Sequence, residues 1–428
     1  MPLFLLTNCL MMKRFFVTCL LISSFLTLQA AQILVPMDNT QRNHLKAYGV
    51  AYFVLTHDVE VSWLLNYRGG SFMFDHHQEF EQELVVRGVS YQVIADVQAA
   101  GILREIASPD VNMEEIRLHK VPRIAVYSPP NSLPWDDAVT LALTFAEIPY
   151  DVIYDEEVLS GVLPLYDWLH LHHEDFTGQF GKFWFAYRNH PWYREEVRLA
   201  EEMARRMGYH KVSQMKLAVA KKIQAFVVGG GYMFAMCSAP ESIDIALAAE
   251  GVDILHEVFD GDPIDPNAQE KLDFSRTFAF ENFLIVPDPT IYEKSNIDVP
   301  KTGRNEATDF FTLFEFSAKW DPIPSMLTQN HHTVIKGFMG QTTAFRNSVI
   351  KPTVTILGET RAKSEARYIH GALGNGTFTF LGGHDPEDYR HFVGDPPTDL
   401  NLFPNSPGYR LILNNVLFPA ARKQQRKT

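Results

Sequence analysis

The chain has 428 residues, 46% of them hydrophobic, with 51 acidic against 38 basic side chains and a formal charge of −13. That apolar share supplies a large core, and the length exceeds one ordinary core, so two domains are expected. The negative balance excludes an electrostatic footprint for nucleic acid or an anionic membrane.

In chain order, Lys13 and Arg14 precede an apolar stretch from Phe15 to Leu28 that ends in Gln29, Ala30 and Ala31. This predicts a signal peptide over residues 1–31 and an exported protein, periplasmic or extracellular. Met12, beside the basic pair, is the expected start. The run is shorter than the roughly 20 residues that cross a bilayer, and no second one follows, so no integral membrane span is expected. Cleavage discards Cys9 and Cys19 and leaves Cys237 as a lone thiol. Its role is then packing, metal binding or nucleophilic attack.

Residues 33–37 read as a strand, 43–55 as a helix, 61–67 and 91–95 as strands, giving a smaller amino-terminal α/β domain over 32–120. In its midst, Arg68, Gly69 and Gly70 read as a plain turn. A second series opens with a strand at 123–127 and defines a main domain over 121–420. A helix is predicted over 135–148, with Asp136 and Asp137 suited to its dipole. Strands follow at 150–154 and 166–172, then an insertion at about 176–210, rich in aromatic and charged residues, expected over the strand ends. Met215, Val219, Ile223 and Phe226 recur at helical spacing and predict a helix over 214–228. Residues 232–236 form a buried strand that delivers Cys237 at its carboxyl end. A second insertion at about 252–350 is able to cover the site, 366–373 and 377–383 pair as a hairpin, and 421–428 form a basic tail. Strands alternating with such helices predict an α/β fold with a doubly wound, mostly parallel sheet, whose ligands lie beyond strand carboxyl ends.

Cys237 should therefore lie at an active site. Ser238 and Glu241 have capping-box spacing and Pro240 suits a first turn, so a helix begins just after the thiol. Its free N–H groups and dipole favour thiolate and lower the thiol pKa. Ala235 and Ala239 leave room for a tight turn, and the Ser238 N–H is placed to donate to an oxyanion. The base is expected to be His384, at the end of the hairpin, oriented by Asp385 or Glu387. His170, His172, His173, Glu174 and Asp175 close the neighbouring strand. Residues 170 and 172 project the same way, so His170, His172 and Asp175, completed by His384 or Asp385, are a candidate zinc set with room for water. Alternatively, His172, His173, Glu174 and Asp175 hydrogen-bond around a substrate.

This order of strands, helices, cysteine turn, hairpin and histidine with acid resembles the class I glutamine amidotransferase-like superfamily, including its ThuA-like relatives, over roughly 122–420. The resemblance implies a flavodoxin-like sheet, Cys237 as nucleophile and His384 as base. The chain departs from the pattern at Ala235 and Ala239, where glycines are usual, and at His172–Asp175, where oxyanion glycines are usual. At closer range, residues 65–72, 135–140, 170–178 and 382–389 resemble an exported family of Bacteroidota-type bacteria commonly called asparagine synthetase B. The chain has neither the amino-terminal cysteine nor the SerGlyGlyXaaAspSer loop of true asparagine synthetases, so any amide chemistry would come from Cys237. Three functions remain open: a cysteine-dependent hydrolase or amidotransferase-like enzyme without a cofactor, a metal-dependent hydrolase, and a non-catalytic carbohydrate or peptide binder. In each, the partner is a small molecule, a peptide or a carbohydrate.

Overall fold

The computed structural model describes residues 31–131 and 136–421. The expected leader up to residue 30, the first residue of the expected 135–148 helix and the basic tail from 422 lie outside them. Ala31, the last residue of the expected leader, opens the first strand.

The amino-terminal region is built on β1 (Ala31–Val35), β2 (Val61–Leu65), β3 (Ser71–Asp75), β4 (Gln92–Ala95) and β5 (Glu114–Leu118). They form a five-stranded sheet in the order β4-β1-β3-β2-β5, antiparallel at every pairing. Because side chains alternate along a strand, Ile33, Val35, Trp63 and Phe72 pack into one cluster with the helix His44–Thr56. Leu34, Leu64 and Met73 meet Ala99 and Ile106 of the helix Asp96–Ala107 on the other face. The expected Arg68 turn is present, with Arg68 Nε 2.7 Å from Asp38 Oδ2.

The second sheet has ten strands. Its parallel block comprises β6 (Ile124–Tyr127), β7 (Asp151–Ile153), β8 (Trp168–Leu171) and β9 (Tyr232–Met236). The other strands are β10 (Phe310–Leu313), β11 (Val334–Lys336), β12 (Phe345–Arg346), β13 (Thr355–Thr360), β14 (Glu365–Leu373) and β15 (Gly376–Leu381), the last of which extends the parallel block beside β9. The order is β11-β10-β13-β14-β15-β9-β8-β6-β7, with β12 on β14. From β15 to β7 every pairing is parallel, whereas β14 onward is antiparallel. The protein is thus α/β with one antiparallel and one mixed sheet.

Both faces of β6, β8 and β9 are covered, which is why these strands are apolar but for His170. Ile124, Val126, Trp168, Phe234 and Met236 face the helices Ala138–Ala146 and Pro407–Leu417. Ala125, Leu169, Leu171, Met233 and Ala235 face the helices Val212–Gly229 and Ala239–Ala248. The first of these clusters also takes in the His44–Thr56 helix, so residues on both sides of Lys120 share one apolar cluster. At that junction a Cβ on Gly49 would lie 1.8 Å from the Ala146 carbonyl oxygen, so the two helices cross at a separation only glycine allows. Among the described residues no helix is long and apolar enough to cross a membrane.

Candidate active site

The ends of β8, β9 and β15 meet beyond the carboxyl edge of the parallel block. Cys237 follows β9 at φ 53°, in the left-handed region. A residue with a Cβ is disfavoured there by about 1–2 kcal/mol, and two main-chain hydrogen bonds hold the turn. The Cys237 N–H donates to the Gly383 carbonyl beyond β15, and the Ala239 N–H donates to the His172 carbonyl beyond β8, both at 3.0 Å. A sharp strand–turn–helix of this kind presents a nucleophile clear of its own strand.

The expected capping box is not formed. Ser238 has helical dihedrals and makes no side-chain cap, and its hydroxyl stands 3.5 Å from the Glu174 carbonyl. Glu241 instead accepts hydrogen bonds from the hydroxyls of Ser295 at 2.6 Å and Thr342 at 2.7 Å. The segment carrying Thr342 closes over the thiol. Gln341 N–H donates to Cys237 Sγ at 3.3 Å, and the Met339 and Thr342 carbonyls accept from the N–H groups of His384 at 3.0 Å and Gly383 at 2.9 Å. Cys237 is only 3% exposed. Burial pushes the thiol up, against the opposing pull of the Gln341 N–H and the charges of Lys301 and Lys294. The direction is opposite to the lowering expected at a helix terminus: desolvation is the largest influence, and the Ala239 N–H is already bonded to His172.

Sγ and one ring nitrogen each of His172 and His384 lie within 4.8 Å of one another. His172 Nε2 is 3.1 Å from His384 Nδ1, and His172 Nδ1 is 3.3 Å from Asp137 Oδ1. His170 completes the group, with Nε2 3.4 Å from Asp137 Oδ2 and Nδ1 3.1 Å from the Phe234 carbonyl. The packing explains this. Alternation along β8 turns His170 to the same face as Trp168, which the Ala138–Ala146 helix covers. Asp137 is the N-cap of that helix, accepting from Val139 N–H at 2.7 Å and Thr140 N–H at 3.0 Å.

Charge then separates the rings. Burial alone would push His172 down, but the charge and hydrogen bond of Asp137, with Glu174 and Asp136, outweigh it and raise its pKa. Burial and the neighbouring His172, His391 and His173 hold His384 well below the ordinary histidine range. Burial also lowers His170. Asp137 is buried too, yet His172 and His170 hold it well below the usual carboxylate range. The carboxylate-paired ring beside the thiol is thus His172.

The acids expected to orient His384 point elsewhere. Asp385 Oδ1 accepts the Glu387 N–H at 2.8 Å and its Oδ2 accepts the Thr398 hydroxyl at 2.7 Å, so it builds its own turn. Glu387 is raised chiefly by burial and bonds to Ser406. Asp175 likewise serves a turn, with Oδ1 taking the Thr177 N–H at 2.8 Å and Oδ2 the Gly181 N–H at 2.8 Å, and it does not join His170 and His172. His391, which sequence reasoning missed, stacks on His384 with centroids 4.0 Å apart. Its one sequence signal was Asp388 three residues before it.

A cavity of about 380 Å³ lies beside this cluster. His173, Glu174 and Asp175 line it together with Tyr154, Glu196 and Lys216, whereas Cys237 and His384 do not. Burial, then the charge of Asp137, raises Glu174 to about 7. Burial, then Asp175, raises Glu196 to about 7. The helix Pro191–Arg206 supplies Glu196, so the expected excursion does reach the strand ends.

No protein-family model matches the chain, and no curated protein matches it. Among solved structures it is similar to the cytoplasmic protein STM3548 from Salmonella typhimurium, at 10% identity and a TM-score of 0.34, covering 71% of this chain and 100% of that one. It is also similar to the cytoplasmic protein STM1381 from Salmonella typhimurium LT2, at 9% identity and a TM-score of 0.33, covering 70% and 99%. A β-galactosidase from Bacillus circulans sp. alkalophilus matches at 11% identity and a TM-score of 0.26, covering 62% of this chain and 29% of that one.

Proposed function

We propose that the protein is an amidotransferase-like hydrolase in which Cys237 attacks a carbonyl or amide carbon. The observation that carries this is the left-handed backbone of Cys237 at the carboxyl end of β9. A non-glycine residue held in that conformation is a common mark of a nucleophile turn. The order β7-β6-β8-β9-β15 of the parallel strands supports the superfamily resemblance, because it follows the flavodoxin-like pattern 2-1-3-4-5.

The base differs from the sequence expectation. In this reading the thiol is neutral at rest, because burial raises it. As Sγ bonds to the carbon, its proton passes to His172, and Asp137 balances the imidazolium. The carbonyl π pair moves to oxygen; as it returns, the C–N or C–O bond breaks and the proton passes from His172 to the departing amine or alcohol. Water then adds to the thioester, releasing the acid and restoring the thiol. His384 positions His172 through the 3.1 Å contact. The signal peptide expected over 1–31 supports export, so the substrate would be met outside the cytoplasm.

The test is hydrolysis of a panel of amides and activated esters by the full chain and by Cys237→Ser. The variant should lose about 100-fold or more in kcat/KM. Undiminished hydrolysis by Cys237→Ser would overturn it.

A further inference from the structure

Beside the thiol, Asp136, His384 and His391 converge, and of these the hydrolytic reading uses only His384, to position His172. One ligand atom each from Asp136, His384 and His391 lies within 4.8 Å of the other two. Both rings are anchored through Nδ1. His391 Nδ1 is 3.0 Å from Asp388 Oδ2. His384 Nδ1 is 3.1 Å from His172 Nε2, and His172 is tied in turn to Asp137. His391, donating its Nδ1–H to the Asp388 carboxylate, keeps its lone pair on Nε2, which is how metal-ligating histidines are held.

The free ends are where an ion would sit. His384 is 4% exposed and the His391 side chain 8% exposed. Neither Nε2 has a hydrogen-bond partner among the described residues, nor does either carboxylate oxygen of Asp136. His391 Nε2 stands 3.5 Å from Asp136 Oδ1. A buried carboxylate and two buried ring nitrogens left without hydrogen bonds are costly, and a cation shared among them removes the cost.

We propose that Asp136, His384 and His391 bind a divalent first-row transition ion, zinc foremost, with a coordination position open to water or to a substrate oxygen. Two imidazoles and a carboxylate suit zinc over magnesium or calcium. Of the metal set expected in the sequence only His384 belongs to this group: His170 and His172 lie together on Asp137, and Asp175 is committed to its turn. The site does not depend on Cys237 acting as a nucleophile.

The experiment uses zinc and cobalt(II) alone as probes of the full chain. Protein purified without chelators and dialysed against zinc should hold about one ion per chain. His391→Ala and Asp136→Asn should each weaken binding at least about 10-fold, while Cys237→Ser binds as wild type. Thermal melting of each apo-protein checks that the variants fold. Cobalt(II) should give visible ligand-field bands without the near-ultraviolet band of a thiolate ligand. Sub-stoichiometric metal in the wild type, full binding by folded His391→Ala and Asp136→Asn, or a thiolate band lost in Cys237→Ser would each overturn the proposal.

Discussion

Asp137 Oδ1 stands 3.3 Å from Nδ1 of His172, leaving the other nitrogen of that ring to meet His384. One aspartate thereby caps the Ala138–Ala146 helix and raises the pKa of a histidine beside the thiol.

Replacing that aspartate with its amide separates the two roles. Asp137→Asn keeps an oxygen for the cap and removes the charge that overcomes desolvation at His172. The imidazole resonance of His172 should titrate above the ordinary value of 6.5 in the wild type and below it in the variant, followed by NMR. An unchanged midpoint would mean that Asp137 does not govern the ring.

The conformation of Cys237 makes a stability prediction independent of chemistry. Cys237→Gly relieves the left-handed strain and Cys237→Ala retains it, while both lose the sulfur. In urea titrations the glycine variant should be about 1 kcal/mol more stable than the alanine variant. The reverse order would remove the case for a strained turn.

Gly49 offers a test of how the two sheets are joined. On helix propensity alone Gly49→Ala should stabilise the His44–Thr56 helix by about 1 kcal/mol. The clash with Ala146 decides the sign, and a net loss of about 1–3 kcal/mol is expected.

His370, on β14 and remote from the thiol, reports on the acid side. Burial lowers its pKa to about 4 from 6.5, and its Nδ1 is 2.9 Å from the Thr379 hydroxyl. A depressed histidine is neutral in the fold and binds its proton more readily when unfolded. Its contribution is complete above pH 6.5 and is lost as the pH falls through 6.5 toward 4, amounting to about 3 kcal/mol at the acid end. His370→Leu should flatten that part of the stability curve, measured by urea unfolding across the range.

The parts of this arrangement differ in how far they could be read from sequence. The five apolar residues of β9, bounded by glycines and a helix start, and the hairpin of β14 and β15 rest on local pattern, and both elements are present where expected. β5 was not legible, because in Glu114–Leu118 only Ile116 and Leu118 are buried and the rest reads as a polar loop. β10 and β11 are short and alternate exposed with buried residues inside what reads as an insertion. Asp137 was legible as a helix-terminus acid. Its pairing with His170 and His172 depends on which face of β8 that helix covers, a tertiary choice. The capping box failed for a similar reason, since Ser295 and Thr342, distant in sequence, captured Glu241.

Trapping an acyl group on Cys237 tests most directly whether the thiol forms a covalent intermediate. The full chain incubated with p-nitrophenyl acetate near neutral pH should carry one acetyl group, located by peptide mass spectrometry to Cys237. The adduct should be absent in Cys237→Ser and slower to form in Asp137→Asn. Turnover of the ester by folded protein with no acyl group on Cys237 at any time point would contradict the account.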